Sequence, residues 1–216
     1  MDAEFLGGGA AVAAGFVDCL TDGLGFKQRP GLDEGRGARG EGRGGCHAGG
    51  EFDRQVFDAD LSGAKTGANG RHPLPSRDDL AARFSAWGID HDTQVVAYDA
   101  NGGSFAVRLW WLARWLGHEK VAVLDGGWPA WLAETNRSST EAPARLPTRF
   151  VAGESLEEVV DAAQLQRLLA APAALIVDAR APERYEGRVE PLDPVAGHIP
   201  GAINRFWQAN LADGRF

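Results

Sequence analysis

From Ser76 to Glu134 short apolar runs alternate with segments of helical period, and this alternation limits the fold more than any other feature of the chain. Ser76 is suited to cap a helix over 77–87, with Asp78 and Asp79 favourable in its first turn and Gly88 as its stop. Residues 93–98 read as a strand, Asn101-Gly102-Gly103 as a turn, and 104–116 as a helix closed by Gly117. Phe105, Leu109, Leu112 and Leu116 recur along that helix, and Val107, Trp111 and Trp115 add a second face, so it is expected to be largely buried. Residues 121–124 form a further strand, and Gly126-Gly127 leads into a short helix over 129–134 with Pro129 near its first position. Strands alternating with helices make an α/β fold with a mainly parallel sheet covered on both faces.

A link rich in Ser, Thr, Pro and Ala follows over 135–154, and a second α/β unit occupies 155–216. Asp161 is placed to cap a helix over 162–169, 175–177 reads as a strand, and the rest is loop as far as Gly197-His198-Ile199-Pro200-Gly201-Ala202. One strand and one helix are too little for a closed core, so this unit is expected to be truncated beside a near-complete first unit over 51–134. Residues 1–50 differ again. From Gly31 to Gly50 the chain is almost half glycine, with Arg36, Arg39 and Arg43 among acidic residues, and such a stretch is expected to stay loop or disordered.

Composition removes several classes of function. A net charge of −8 argues against general affinity for nucleic acid or acidic membranes, and the Gly/Arg stretch lacks the interleaved aromatics of a single-strand binder. Local arginines and helix N-termini can still hold a small anion. The two cysteines, Cys19 and Cys46, make neither a disulfide scaffold nor a CxxC metal site. The N-terminus carries Asp2 and Glu4 without a basic signal region, and no stretch approaches the roughly 20 apolar residues of a membrane span. The cytoplasm is the expected compartment.

The motifs, taken in order, are specific. They are Asp58-Ala59-Asp60-Leu61-Ser62-Gly63, Gly70-Arg71-His72-Pro73-Leu74-Pro75, Tyr98-Asp99, Ala106-Val107-Arg108-Leu109-Trp110-Trp111 and Leu124-Asp125-Gly126-Gly127-Trp128 in the first unit. In the second they are Asp178-Ala179-Arg180, Glu183-Arg184-Tyr185, Glu190-Pro191 and the Gly-His-Ile-Pro-Gly-Ala run at 197–202. Over 57–216 this series resembles the tandem-domain rhodanese-type sulfurtransferases, the thiosulfate/3-mercaptopyruvate sulfurtransferase family. The resemblance implies a rhodanese-like three-layer fold, an inactive first domain and the start of a catalytic second one.

It also implies a chemistry. A cysteine thiolate, held in a loop of inward-pointing N–H groups at a helix N-terminus, takes sulfur from thiosulfate or 3-mercaptopyruvate. Cyanide or a thiol then removes it from the persulfide, a covalent ping-pong cycle that calls for no metal or organic cofactor. The partners implied are a small anionic sulfur donor and a thiophilic acceptor, not nucleic acid or membrane.

Family cysteines lie downstream of the Gly-His-Ile-Pro-Gly-Ala signature, and no cysteine follows Cys46 here, so the chain is expected to lack its nucleophile and to be inactive. Asp99 matches the acidic residue that replaces cysteine in inactive first domains; the other reading is an ordinary loop aspartate near a helix N-terminus. Arg184 matches the arginine that holds the donor's anionic end. Relatives specific for mercaptopyruvate carry a second arginine after Glu-Pro, where this chain has Leu192, and that departure leans toward thiosulfate. His72 and Asp60 match first-domain residues of a Ser-His-Asp relay, although a loop histidine satisfied by backbone is equally compatible. His198 is expected to serve the turn, and Trp110, Trp111, Trp115, Trp128 and Trp131 to pack rather than stack on ligand.

Near the N-terminus Phe16-Val17-Asp18-Cys19 resembles a strand end, but the text that follows departs from the family pattern, as an altered reading frame would make it. A different class of function, a non-catalytic rhodanese-like module for binding or regulation, also accounts for Asp99. A dual-specificity phosphatase needs a cysteine and an arginine in one short loop, which the chain lacks.

Overall fold

The structure, a computed structural model, describes residues 12–17, 52–56, 58–67, 69–135, 145–169 and 174–216. The Gly/Arg-rich stretch expected to be disordered, both cysteines and residues 136–144 of the expected link lie outside the described residues.

Local sequence signals place most elements of the first unit. Helix α1 (Asp58–Leu61) is a single turn, and α2 (Arg77–Ala86) begins where Ser76 accepts the Asp79 N–H at 3.1 Å. It stops at Gly88, whose φ of +77° is costly for any residue with a Cβ. Strand β3 (Gln94–Tyr98), α3 (Ala106–Trp115), β4 (Val121–Val123) and α4 (Gly127–Thr135) follow as the alternation predicts. Helix α3 buries Ala106, Leu109, Leu112 and Ala113, while Trp111 and Trp115 on its second face are only half-buried.

The sheet has the order β2 (Phe52–Val56), β1 (Val12–Val17), β3, β4. β3 and β4 are parallel, pairing Val95 with Val121 and Ala97 with Val123. β1 runs antiparallel to both neighbours, with Phe16 opposite Phe52 on one side and Val95 on the other. Three strands therefore share one direction, with β1 reversed between them. β1 comes from the segment 1–50 expected to be disordered and set outside the first unit at 51–134, so that unit reaches back to Val12. Antiparallel neighbours need no helical crossover, so the α/β alternation does not reveal this strand's direction.

The core lies in this unit, where Val56, Leu61, Leu80, Phe84, Ile89, Val95, Leu109, Leu112 and Leu116 are shielded. Each contributes about 1.5–3 kcal/mol through burial. The second half of the expected link is a strap on the same core. Phe150 packs edge-on to Phe84 at 5.2 Å, its N–H donates to Ser85 Oγ at 2.9 Å, and Gly153 N–H donates to the Leu116 carbonyl at 2.9 Å.

In the second unit α5 (Ala162–Leu169) starts with a reciprocal cap, Gln164 N–H to Asp161 Oδ1 at 2.7 Å and Asp161 N–H to Gln164 Oε1 at 2.6 Å. β5 (Val177–Asp178) pairs in parallel with β6 (Ile203–Asn204), and α6 (Pro182–Tyr185) lies between them in sequence. β5 is shorter than expected because its pairing extends only as far as β6. The turn at 199–202 is closed by Ala202 N–H to the Ile199 carbonyl at 2.9 Å, with Pro200 then Gly201 at φ +85°, the sequence a type II turn requires. Burial here is sparse: Ile176 and Ala202 are covered, but Leu168, Leu169, Leu175, Val177 and Ile203 are exposed. Among the described residues no helix is long and apolar enough to cross a membrane.

Candidate functional site

At the C-terminal end of β3 the chain turns inward at Asp99, which is 3% exposed. Its Oδ1 accepts the N–H groups of Asn101 at 2.7 Å and Gly103 at 2.9 Å, and its Oδ2 those of Phe105 at 2.8 Å and Ala106 at 2.9 Å. Gly102 and Gly103 take φ of +70° and +87°, which turns the loop amides toward the carboxylate. Phe105, at the α3 N-cap, makes no side-chain cap bond, so Asp99 does that work from upstream. Helix α3 accordingly starts at Ala106 rather than at the predicted Ser104. The loop is a cradle for negative charge, and the chain fills it with its own carboxylate.

Close packing fixes this loop from two sides. A Cβ on Gly127 would lie 2.2 Å from the Asp99 carbonyl oxygen, and Trp128 N–H donates to that oxygen at 2.8 Å. Trp128 also stacks on Tyr98 with ring centroids 5.9 Å apart. From the second unit, Leu211 and Trp207 approach Gly102, and the Phe216 ring approaches Gly103. Phe216 N–H donates to Asp125 Oδ1 at 2.8 Å, and Arg215 pairs with Glu134.

A cluster of arginines and carboxylates forms the second feature. Arg184, at the end of α6, grips Glu190 with Nη2 at 2.9 and 3.0 Å and Nε at 3.2 Å, and Nη2 is also 3.0 Å from Asp193 Oδ2. Arg180 Nε holds Asp178 at 3.0 Å through both oxygens, and its Nη1 is 3.6 Å from Glu190 Oε2. Arg71 Nε, from the first unit, is 3.3 Å from Asp193 Oδ1. Burial would raise Glu190, but the Arg184 hydrogen bond and the Asp193 and Leu192 amides outweigh it and hold the carboxyl below its usual range. Asp178 follows the same pattern, with burial outweighed by the side chain and amide of Arg180.

Asp60 and His72 lie on neighbouring stretches that two arginines, half-buried Arg83 and buried Arg108, tie down. Arg83 donates to the Asp60 carbonyl, and Arg108 on α3 donates to the carbonyls of Leu61 at 3.0 Å and His72 at 3.0 Å. Gly63 N–H donates to the Pro73 carbonyl at 2.9 Å, which zips the two stretches together. Arg108 carries no sequence signal beyond its place in a motif, because its partners lie far away in the chain. His198 stacks on Tyr185 at 3.8 Å, and Tyr185 OH donates to the Ala202 carbonyl at 2.7 Å, so the histidine supports the turn. Arg114 lies over Trp110 and Arg77 over Trp115, while Trp111 and Trp115 pack against the core.

Comparison with known proteins places these features in a family. The model of the rhodanese-like domain matches residues 56–134 and 161–215. A probable 3-mercaptopyruvate sulfurtransferase of Pseudomonas aeruginosa is 46% identical over 167 residues, covering 74% of this chain and 57% of the relative. A putative thiosulfate sulfurtransferase of Mycobacterium tuberculosis is 39% identical over 158 residues, covering 73% of this chain and 56% of the relative. The crystal structure of SseA from Escherichia coli, a 3-mercaptopyruvate sulfotransferase, superposes with a TM-score of 0.64 at 29% identity, over 73% of this chain and 59% of that one. The chain thus spans little more than half the length of the curated relatives it matches.

Proposed function

The chain belongs to the rhodanese-like domain family, and on that premise we propose that it carries the inactive cradle and the donor-anchoring arginine of a sulfur-transfer protein. In the complete reaction a cysteine thiolate attacks the outer sulfur of thiosulfate, the S–S bond breaks and sulfite leaves. The persulfide then gives its outer sulfur to cyanide or another thiophile. Arg184 holds the anionic end of the donor through a charge-assisted hydrogen bond from its guanidinium. Asp60 and His72 are the relay candidates of the first unit. Exposed Leu192 supplies no guanidinium at the position after Glu190-Pro191, and that departure leans toward thiosulfate over 3-mercaptopyruvate. The setting is the reducing cytoplasm, where thiol acceptors stay reduced.

The first unit's cradle takes up no sulfur of its own. The observation that carries this reading is the Asp99 carboxylate, saturated by four backbone N–H groups where a thiolate would sit. Carboxylate oxygens cannot take up sulfane sulfur. A cyanide-dependent thiocyanate assay, with thiosulfate and then 3-mercaptopyruvate as donor, is expected to stay at the blank. Clear turnover would overturn the reading and make Cys19 or Cys46 the persulfide carrier.

A second reading, a non-catalytic binding or regulatory module, is favoured by one observation. Both anion-holding features are satisfied from within, Asp99 by amides and Arg184 by Glu190 and Asp193. Such a module melts cooperatively as a monodisperse species. A chain dependent on further polypeptide self-associates through exposed Leu175, Val177 and Ile203.

A further inference from the structure

One carboxylate stands between two arginines from different units. Asp193 Oδ2 is 3.0 Å from Arg184 Nη2, and its Oδ1 is 3.3 Å from Arg71 Nε. A single O–C–O group therefore spans both guanidiniums. Glu190 is held quite differently. Its side chain is 4% exposed, it takes Arg184 as a fork, and it accepts the amides of Leu192 and Asp193 at 3.0 Å each. The Asp193 side chain is 19% exposed, and its neighbours Leu192, Pro194 and Val195 face solvent. Among the described residues, no main-chain to main-chain hydrogen bond engages residues 190–198. Rotation of the Asp193 side chain about its Cα–Cβ bond can free the seat while its amide stays on Glu190 and Glu190 keeps Arg184 aimed.

We propose that Asp193 is an internal stand-in for a ligand, and that Arg71 and Arg184 together form a seat for one small oxyanion with a sulfonate or carboxylate end. The proposal rests on Arg184 as donor anchor and adds Arg71, from the first unit, as a second binding residue. The charges fit this exchange. Arg180 is matched by Asp178, and Glu190 offsets one further guanidinium. An incoming anion in place of the Asp193 carboxylate meets the same two guanidiniums, through charge-assisted bonds from two directions. While Asp193 is seated it competes as a tethered ligand, at an effective concentration on the order of millimolar, and lowers apparent affinity by the fraction of time it occupies the seat.

Calorimetric titration of the full chain with thiosulfate tests this, with pyruvate as the carboxylate-ended arm. Asp193→Ala and the isosteric Asp193→Asn are expected to bind thiosulfate about tenfold or more tightly than the parent. Adding Arg71→Ala to Asp193→Ala should abolish the gain, and Arg71→Lys, which keeps the charge but not the fork, should restore part of it. Tighter binding of thiosulfate than of pyruvate assigns the seat to sulfonate-ended donors, and the reverse order to carboxylate-ended ones. No gain from either Asp193 variant, or no loss from Arg71→Ala, overturns the seat and leaves Arg71–Asp193 as a bridge between units. Arg184→Ala in the Asp193→Ala background separates the two ideas. If it abolishes binding while Arg71→Ala does nothing, the anchor stands and the seat falls; if it changes nothing, the anchor itself falls.

Discussion

Replacing Asp99 with asparagine keeps the size of the side chain but removes its charge and turns one acceptor oxygen into a donor. In the cradle, Oδ1 serves Asn101 and Gly103 while Oδ2 serves Phe105 and Ala106. The asparagine oxygen can keep one of these pairs; its NH2 group then faces two N–H groups in a site that is 3% exposed. Two buried donors left without an acceptor cost about 1–3 kcal/mol each, and the surviving pair loses charge assistance worth about 1 kcal/mol per bond. The sum is roughly 4 kcal/mol or more. If Asp99 acted only by placing charge near the α3 N-terminus, the loss would be about 0.3–1 kcal/mol. Urea unfolding followed by tryptophan fluorescence decides between them, since Trp128 stacks on Tyr98 beside the loop. With a slope of about 2 kcal/mol per molar urea, amide saturation shifts the midpoint down by about 2 M, against less than about 0.5 M for charge alone. A shift below 0.5 M with unchanged slope would falsify the assignment of Asp99 as the acceptor that holds this loop together.

Other consequences follow from single groups. Burial pushes the His118 imidazole below its ordinary value, the backbone of Thr93 and Lys120 pulls it up, and the charges of His91 and Lys120 push it down further. The folded state therefore favours neutral His118, so its stabilisation is complete above about pH 6.5 and is lost as pH falls through the lower folded value. Melting temperatures between pH 5 and 8 should fall more steeply on acidification in the parent than in His118→Leu, and parallel profiles would refute this. Gly127→Ala places a Cβ 2.2 Å from the Asp99 carbonyl oxygen at φ +55°, whereas Gly67→Ala at φ +83° meets nothing within 4 Å. The left-handed backbone costs each about 1–2 kcal/mol, and the contact adds about 1–3 kcal/mol at Gly127 alone; equal losses in thermal unfolding would deny the close approach. Arg108→Met should destabilise the chain by about 2–4 kcal/mol and speed amide exchange over residues 60–74, because the Leu61 and His72 carbonyls lose a buried donor. Unchanged exchange there would show that Arg108 does not anchor these stretches.

What the sequence determined by itself is what short-range chemistry encodes. Ser76 and Asp79, or Asp161 and Gln164, lie three positions apart, so their caps are legible before any packing is known. Pro200-Gly201 writes its turn in the same local way, and the apolar spacing of Leu109, Leu112 and Leu116 marks the inward face of α3. The motif series pointed to Asp99 and Arg184, but not to how either is satisfied. That Asp99 caps α3 across the intervening loop depends on glycines bending four amides onto one carboxylate. The pairing of Arg71 with Asp193, the reach of Arg108 to Leu61 and His72, the Phe150 strap and the reversed strand β1 were decided only by tertiary structure. Residues distant in the chain leave no mutual spacing to read. Which guanidinium meets which carboxylate is set by how the two units close on each other, a matter of packed shape rather than local preference.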